Sequence, residues 1–502
     1  MSITSPDSLY ELCIEEITDC LQMNYWSGVK TNPFSRINCN IVNDLFQSLI
    51  IQAQVKDPRP LKLLLKSGQL QKLNFNGIDF TGKKWKYIMK VLLKEKDRCR
   101  NITYIFLPKN FQNDENTYLE RLIEQCPLLK AIHVGTYFNL SVLKNCERLK
   151  VVRNHFPGSH EYRYLRDESV DALENLQNLE KFAIFDDRRS STYYEDIAKM
   201  LQNHPKLVSL GNTDSSWAAH HIHTTCRMDT VPRFGLKECF WGFSKNVEQV
   251  IRNQMAYTQQ YSEFVKSAVV LFPLVERLHI IVHHEDCLQH LKKLEHLCEL
   301  EIDFNWCCSS SACTAFISLL SEIGPQLKRL VIVSHSTMPV DLVMKYCSNV
   351  EHLNLCCSAI VQGDIETDAN NFRQLKELIV YEMDEESLDY LLRDSSNLEG
   401  LLLVDALCLD DTLLRTILTM KSLSKIDTLG VQECRISRYY MKKLVQKCVK
   451  LRNVAFENLD ADLTAVVKQL KRDIRTTYSH VANRLQLIPE DICILCKRNF
   501  HL

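Results

Sequence analysis

An α/β solenoid, with a parallel sheet on its concave side, helices on its convex side and a small helical box at the amino end, is the fold class this sequence predicts. Three observations predict it. A short apolar motif recurs along most of the 502 residues. Its spacing leaves room for one strand and one helix per recurrence. The first 60 residues lack the motif and read instead as amphipathic helices.

The motif is apolar-x-x-apolar-x-apolar. It is clearest at Val275/Leu278/Ile280, Leu297/Leu300/Ile302, Leu327/Leu330/Ile332 and Val350/Leu353/Leu355. It continues at Leu375/Leu378/Val380, Leu398/Leu401/Leu403, Ile426/Leu429/Val431 and Leu451/Val454/Phe456. Weaker copies begin at Leu70, Ile102, Leu129, Leu149, Leu179, Leu207 and Leu236. From Leu70 to Leu451 there are 14 steps over 381 residues, a mean near 27. The last two apolar positions lie two apart, so they point to one side of a short strand. The segments between, such as DEESLDYLLRDSS and RYYMKKLVQKC, are long enough for a helix. One strand-helix unit buries little alone and must stack on its neighbours. The period falls in the roughly 20–29-residue range of leucine-rich repeats.

Four anchors are preceded at three residues by cysteine: Cys126, Cys146, Cys347 and Cys448. A small thiol suits a tight helix-to-strand corner. Here the sequence resembles the cysteine-containing leucine-rich repeats common in ubiquitin-ligase substrate receptors. The repeat is least regular around 211–262, where SSWAAHHIHTTCRMDTVPRFGL predicts a polar loop insertion. His220, His221 and His223 in that loop lack cysteine or carboxylate partners at metal-site spacing, so no metal is expected. The repeats are assigned to 61–457, and residues 458–502 to a helical cap.

Composition bounds the function. Lys and Arg number 61 against 62 Asp and Glu. That balance argues against general nucleic-acid or membrane-surface binding. Gly and Pro number only 13 each, which excludes collagen-like and low-complexity classes. The 21 cysteines accompany no signal peptide and no long apolar run, so free thiols and a cytoplasmic or nuclear setting are expected.

Residues 1–60 form the amino-terminal box. The stretch SPDSLYELCIEEITDCL predicts a helix with Ser5 as N-cap, Pro6 in the first turn and Asp7 at the positive end of the dipole. Leu9, Leu12, Cys13, Ile17, Cys20 and Leu21 share one broad face, widened by Tyr10 and Ile14. Glu11, Glu15, Thr18 and Asp19 form the other. So wide an apolar arc suggests contact with both the chain's own domain and something else. INCNIVNDLFQSLI predicts a second helix, with Ile37, Ile41 and Leu45 at i, i+4 and i+8.

Ser8-Leu9-x-x-x-Cys13-x-x-x-Ile17 resembles the elongin-binding box, and Ile37/Ile41/Leu45 resembles the cullin-2 box, with Asn38 where that family has proline. Together they are similar to a von Hippel-Lindau box. Its attachment to leucine-rich repeats resembles the Zyg substrate receptors, without their armadillo repeats. The resemblance implies a non-enzymatic substrate receptor of a cullin-RING ubiquitin ligase that binds elongin B/C and cullin-2. Leu9 would enter an apolar pocket of elongin C, Cys13 would fill a tight site, and Ile17 would extend the stripe. The alternatives are a repeat scaffold without a ligase role, a plain helical cap, or an F-box-type receptor.

No catalytic motif stands out. Gly77-Ile-Asp-Phe-Thr-Gly82-Lys83-Lys84 approaches a phosphate loop, but Lys84 replaces the hydroxyl that would hold magnesium. Cys493-Ile-Leu-Cys496 with His501 is an incomplete zinc set. No cofactor is expected. The strand register places Val331, Ile379, Tyr381 and Leu402 on the open side of the sheet, as candidates for capturing an unidentified protein client. Glu299, Glu301 and Asp303 would favour a basic segment of that client.

Overall fold

The computed structural model describes residues 9–26, 28–53, 58–75, 82–107, 116–135, 138–156, 173–186, 194–211, 214–226, 232–242, 254–304, 307, 311–361, 373–381, 383–393, 395–404, 408–419, 422–432, 436–448, 450–451 and 453–457. The phosphate-loop-like turn before Gly82, the Cys493/Cys496/His501 set, the amino-terminal capping residues Ser5–Ser8 and the segment 458–502 lie outside them. The chain divides into two compact units, Met1–Arg252 and Asn253–Leu502.

In the first unit the strands are β1 (Lys72–Asn74), β2 (Tyr104–Leu107), β3 (Ala131–Val134), β4 (Val151–Phe156), β5 (Lys181–Asp186), β6 (Ser209–Leu210) and β7 (Glu238–Trp241). They pair in chain order and are all parallel. The second unit repeats the plan with β8 (Arg277–Ile281), β9 (Glu299–Asp303), β10 (Arg329–Val333), β11 (His352–Cys356), β12 (Glu377–Tyr381), β13 (Gly400–Val404), β14 (Thr428–Gln432) and β15 (Asn453–Glu457). Every one of these strands begins two residues after an apolar anchor read from the sequence. Parallel neighbours with a helical return are the geometry that a period near 27 demands. Each unit is a leucine-rich-repeat array.

Strand parity places the core. Leu278 and Ile280, Leu300 and Ile302, Leu330 and Ile332, and their counterparts through Leu429 and Val431 are all 3% exposed or less. The corner before most strands follows one pattern. The backbone N–H of the anchor donates to the carbonyl three residues back, as from Leu129 to Cys126 at 3.1 Å, Val350 to Cys347 at 3.1 Å and Leu451 to Cys448 at 3.0 Å. The corner residue is buried, which pushes the Cys146 thiol up to about 11 and those of Cys347 and Cys448 up to about 12. Two positions after several corners an amide side chain donates to a carbonyl of the preceding repeat: Asn101 to Gly68, Asn178 to Glu147, Asn349 to Pro325 and Asn397 to Arg373. These bonds tie four turns of the repeats to the ones before them.

The predicted polar loop is instead a helix, Ser215–Thr225. It buries Ser215, Ser216, Ala218, Ala219 and Ile222, and the Ser215 hydroxyl donates to Phe240 O at 2.5 Å. Small polar residues were read as solvent-facing, whereas here they let a repeat helix approach the sheet closely. His221 lies against Tyr194, which stacks on Trp217 at 4.3 Å. No helix among the described residues is long and apolar enough to cross a membrane.

Candidate docking surface on the first helix

Two helices precede the repeats: α1 (Leu9–Gln22) and α2 (Cys39–Ala53). Asn38, at the place of the expected proline, caps α2; its side-chain oxygen accepts from Asn40 N at 2.9 Å, and its carbonyl accepts from Val42 N. Helix α2 then buries Val42, Leu45, Phe46, Leu49 and Ile50. Phe46 packs edge-on against Phe75, which packs against Trp85. Asn43, also buried, accepts from both Gln71 N and Lys72 N at 3.1 Å. Gln47 donates to Asn74 O at 3.1 Å. Two polar side chains of α2 therefore satisfy backbone groups along β1, the first strand of the sheet, which would otherwise present an open edge.

Helix α1 lies on α2 and buries a narrow stripe, Ile14, Thr18 and Leu21. Thr18 was expected on the polar side; it is fully buried because its hydroxyl donates to Ile14 O at 2.7 Å, so the side chain enters the interface without a lost hydrogen bond. The Tyr10 hydroxyl donates to Asp44 Oδ2 at 2.6 Å, and that bond holds its pKa above the usual phenol value. The carboxyl end is closed by a Schellman motif. Asn24 takes a left-handed φ of 55°, Tyr25 N donates to Cys20 O and Asn24 N donates to Leu21 O. Beyond it Tyr25, Trp26 and the buried Phe34 form a ladder of edge-to-face rings at 5.5 and 5.4 Å. Helix α1 is thus fixed along one side and at its carboxyl end.

The buried stripe is narrow and leaves most of the rest of the helix surface wholly or partly exposed. At about 100° per residue, Leu9, Cys13 and Ile17 centre roughly 110° around the helix from Ile14, Thr18 and Leu21. Leu9 is 78% exposed, Leu12 is 50% exposed, Cys13 is exposed and Ile17 is half-buried. Leu9, Tyr10, Leu12, Met23, Tyr25 and Val29 are six of the ten exposed large apolar side chains among the described residues. Scattered single apolar residues are ordinary on a surface, but this concentration in 21 residues is not. The sequence pointed to the helix but missed Met23, Tyr25 and Val29, which follow the helical period and carry no pattern of their own.

The second stripe fares differently. Ile37 and Ile41 are half-buried, and Leu45 is 0% exposed in the chain's own core. Leu45 is therefore a packing residue of the cap, because α2 must turn that side to β1 and Phe75. The client candidates are likewise divided. Ile379 and Leu402 keep partial exposure, while Val331 and Tyr381 are 3% and 8% exposed. Tyr381 clusters with Val404, and Cys356, Ile379 and Leu402 pack around them. Alternation along a strand tells which side a residue takes, not what covers that side. In the first unit the same side of the sheet carries the half-exposed Tyr104, Phe106, His133 and Arg153, with the Tyr104 and Phe106 rings 5.5 and 5.9 Å from His133. Burial, then the nearby Arg153, lowers the His133 pKa to about 4, so the ring is neutral at physiological pH. These four residues sit at the two and four positions after weak anchors and were not singled out from the sequence.

No protein-family model matches the chain, and no curated protein does. Solved structures with similar architecture include an internalin of Listeria monocytogenes, at 14% identity and a TM-score of 0.32 over 82% of this chain and 93% of that one. The Rad7–Elc1 complex of yeast matches at 13% identity and a TM-score of 0.42, over 86% and 95%. A leucine-rich-repeat protein of Leptospira interrogans matches at 11% identity and a TM-score of 0.30, over 81% and 94%.

Proposed function

We propose that this chain is a substrate-recognition subunit of a cullin-RING ubiquitin ligase, docking elongin B/C through α1 and a protein client through the open side of its repeats. The observation that carries the reading is the exposure of Leu9 and Cys13, with Ile17 half-buried in line with them, on a helix whose Ile14/Thr18/Leu21 stripe is locked to α2. A box motif that served only as core would be turned inward. The elongin partner is argued from the residue types. A large aliphatic at Leu9 fits an apolar pocket, and a thiol at Cys13 lets the two backbones approach where a longer side chain would clash. A cullin would approach along Ile37 and Ile41, with Leu45 holding α2 in place from within.

The chain supplies positioning rather than bond chemistry. A client held on the same scaffold as the ubiquitin donor meets it at a raised effective concentration. In the second unit the partly exposed Ile379 and Leu402 are the side chains that would hold it; taken by itself, the first unit presents the half-exposed Tyr104 and Phe106.

Leu9→Ser with Cys13→Arg is expected to abolish co-purification of elongin C with the full chain while leaving its thermal melt in place. Both residues are exposed, so a loss of binding reads the surface and not the fold. Undiminished co-purification from a folded variant would refute the docking assignment and leave a repeat scaffold without a ligase role.

A further inference from the structure

The last described helix, α3 (Arg438–Lys447), has a composition unlike the rest of the chain. From Cys434 through Phe456 there are seven Arg and Lys residues and no Asp or Glu, in a protein whose total charge is −1. Leu444 and Cys448 anchor this helix to the core. Lys442, Lys443 and Lys447 stand on its exposed side, and Tyr439 is 59% exposed among them. No ion pair joins these three lysines to a carboxylate among the described residues. The aromatic and basic groups are interleaved. Lys443 Nζ lies 4.5 Å from the Tyr439 ring centroid and 5.9 Å from that of Tyr440. Arg415, on the helix of the preceding repeat (Asp411–Ile417), donates from Nε to the Tyr440 hydroxyl at 3.0 Å. Tyr440 is thereby fixed; Tyr439 meets its ring edge-on at 5.2 Å, carries Lys443 over its own ring and still remains largely exposed.

We infer that the exposed side of α3 is a docking surface for the phosphate backbone of a single nucleic-acid strand. Uncompensated lysines are point charges suited to phosphates, and each one engaged releases a counterion. An exposed tyrosine among them offers a stacking platform that any unpaired base can use. A protein partner fits less well. Lysine is depleted in protein interfaces, whose centres need apolar area, and here Tyr439 alone provides it. The near-zero total charge excludes polyanion binding spread over the whole chain. It leaves a local patch untouched, because acidic segments elsewhere balance the sum.

The probe is a fluorescein-labelled 20-nucleotide oligo-dT, read by anisotropy against the full chain across a potassium chloride series. Binding is expected, with affinity falling as salt rises. Lys442→Gln, Lys443→Gln and Lys447→Gln together should weaken binding by at least tenfold and reduce the salt slope by about 2. Tyr439→Ala should weaken it by about tenfold while a duplex of equal length is unaffected. Unchanged thermal melts of both variants keep the readout tied to the surface. Absence of oligo-dT binding at low salt would overturn the inference. So would binding that the triple variant leaves intact, or equally tight binding of a polyglutamate of matched charge, which would assign the patch to an acidic polypeptide.

Discussion

Glu301 shows what a single side chain on the sheet can cost. It stands on β9, 8% exposed, between His279 of β8, whose Nδ1 is 3.7 Å from its Oε1, and the in-register Val331 of β10. Burial, partly offset by Arg329 and reinforced by Asp303, pushes its carboxyl up to about 7. A raised carboxyl pKa means that the folded chain holds the proton more tightly than the unfolded one. Stability from this group is therefore intact below the unfolded value near 4.5 and falls as pH rises toward 7. The full cost above pH 7 is about 3 kcal/mol. Glu301→Gln removes the ionisation and should gain about 2–3 kcal/mol over wild type at pH 8, shrinking toward zero near pH 5. Urea unfolding at the two pH values measures this. A gain independent of pH would show that packing, not charge, sets the difference. The sequence marked Glu301 as part of an acidic strand. Its near-complete burial, which reverses the consequence, depends on neighbours that no local pattern reveals.

The repeat corner is where an element is legible in sequence only halfway. Apolar spacing located every strand start, because each strand must send the same two side chains into one continuous core. Cysteine at four corners showed that the site is tight. The same site elsewhere holds His204, whose ring nitrogens lie 2.8 Å from Met200 O and 2.9 Å from Leu173 O, or Ser395, or Gly324, and no single letter links them. The amide ladder was overlooked for a related reason. Asparagine and glutamine are common in loops, and only the fold shows that their donors reach a carbonyl some 24–33 residues earlier. The corner's tightness gives a prediction. A Cβ on Gly324 would lie 2.6 Å from Tyr346 O and 2.9 Å from its carbonyl carbon, both backbone atoms of the next repeat. Gly324→Ala should therefore destabilise by about 2 kcal/mol in urea unfolding. The atoms nearest a Cβ on Gly430 all belong to the Leu402 side chain, whose Cδ1 would be 2.2 Å away and can rotate aside, so Gly430→Ala should cost clearly less. Equal costs would mean that the corner yields as easily as a side chain.

Across the molecule, a repeat array is held by nearest-neighbour interfaces, so its ends need covers and its partners need surfaces the covers do not consume. Box and cap are rival readings of the amino-terminal helices, and the structure gives the capping contacts with β1 to α2, while α1 packs on α2. Helix α2 closes β1 with Asn43, Gln47 and Phe46, while α1 touches α2 through one stripe, keeps Ile17 and Cys20 half-buried and shows Leu9, Tyr10, Leu12 and Cys13 to solvent. The amphipathic patterns alone could not make this division, since both helices have apolar arcs and only tertiary contacts decide which arc is used. Two truncations of the full chain separate the tasks. Removing residues 1–26 deletes α1, takes Trp26 from the buried Phe34 and uncovers the part of α2 beneath Ile14, Thr18 and Leu21, but leaves the contacts of α2 with β1 in place. The repeats should still fold, with a melting temperature lowered by a few degrees and elongin association gone. Removing residues 1–53 also deletes α2. It strips Phe46 from Phe75 and leaves the Gln71 and Lys72 N–H groups without their acceptor Asn43. An open strand edge beside exposed aromatic surface favours self-association. This second truncation should elute as aggregate in size-exclusion chromatography, where the first remains in the position of the full chain. If the longer truncation stays as soluble and as stable as the shorter one, α2 is not the cover of the array, and the separation of cap from docking helix fails with it.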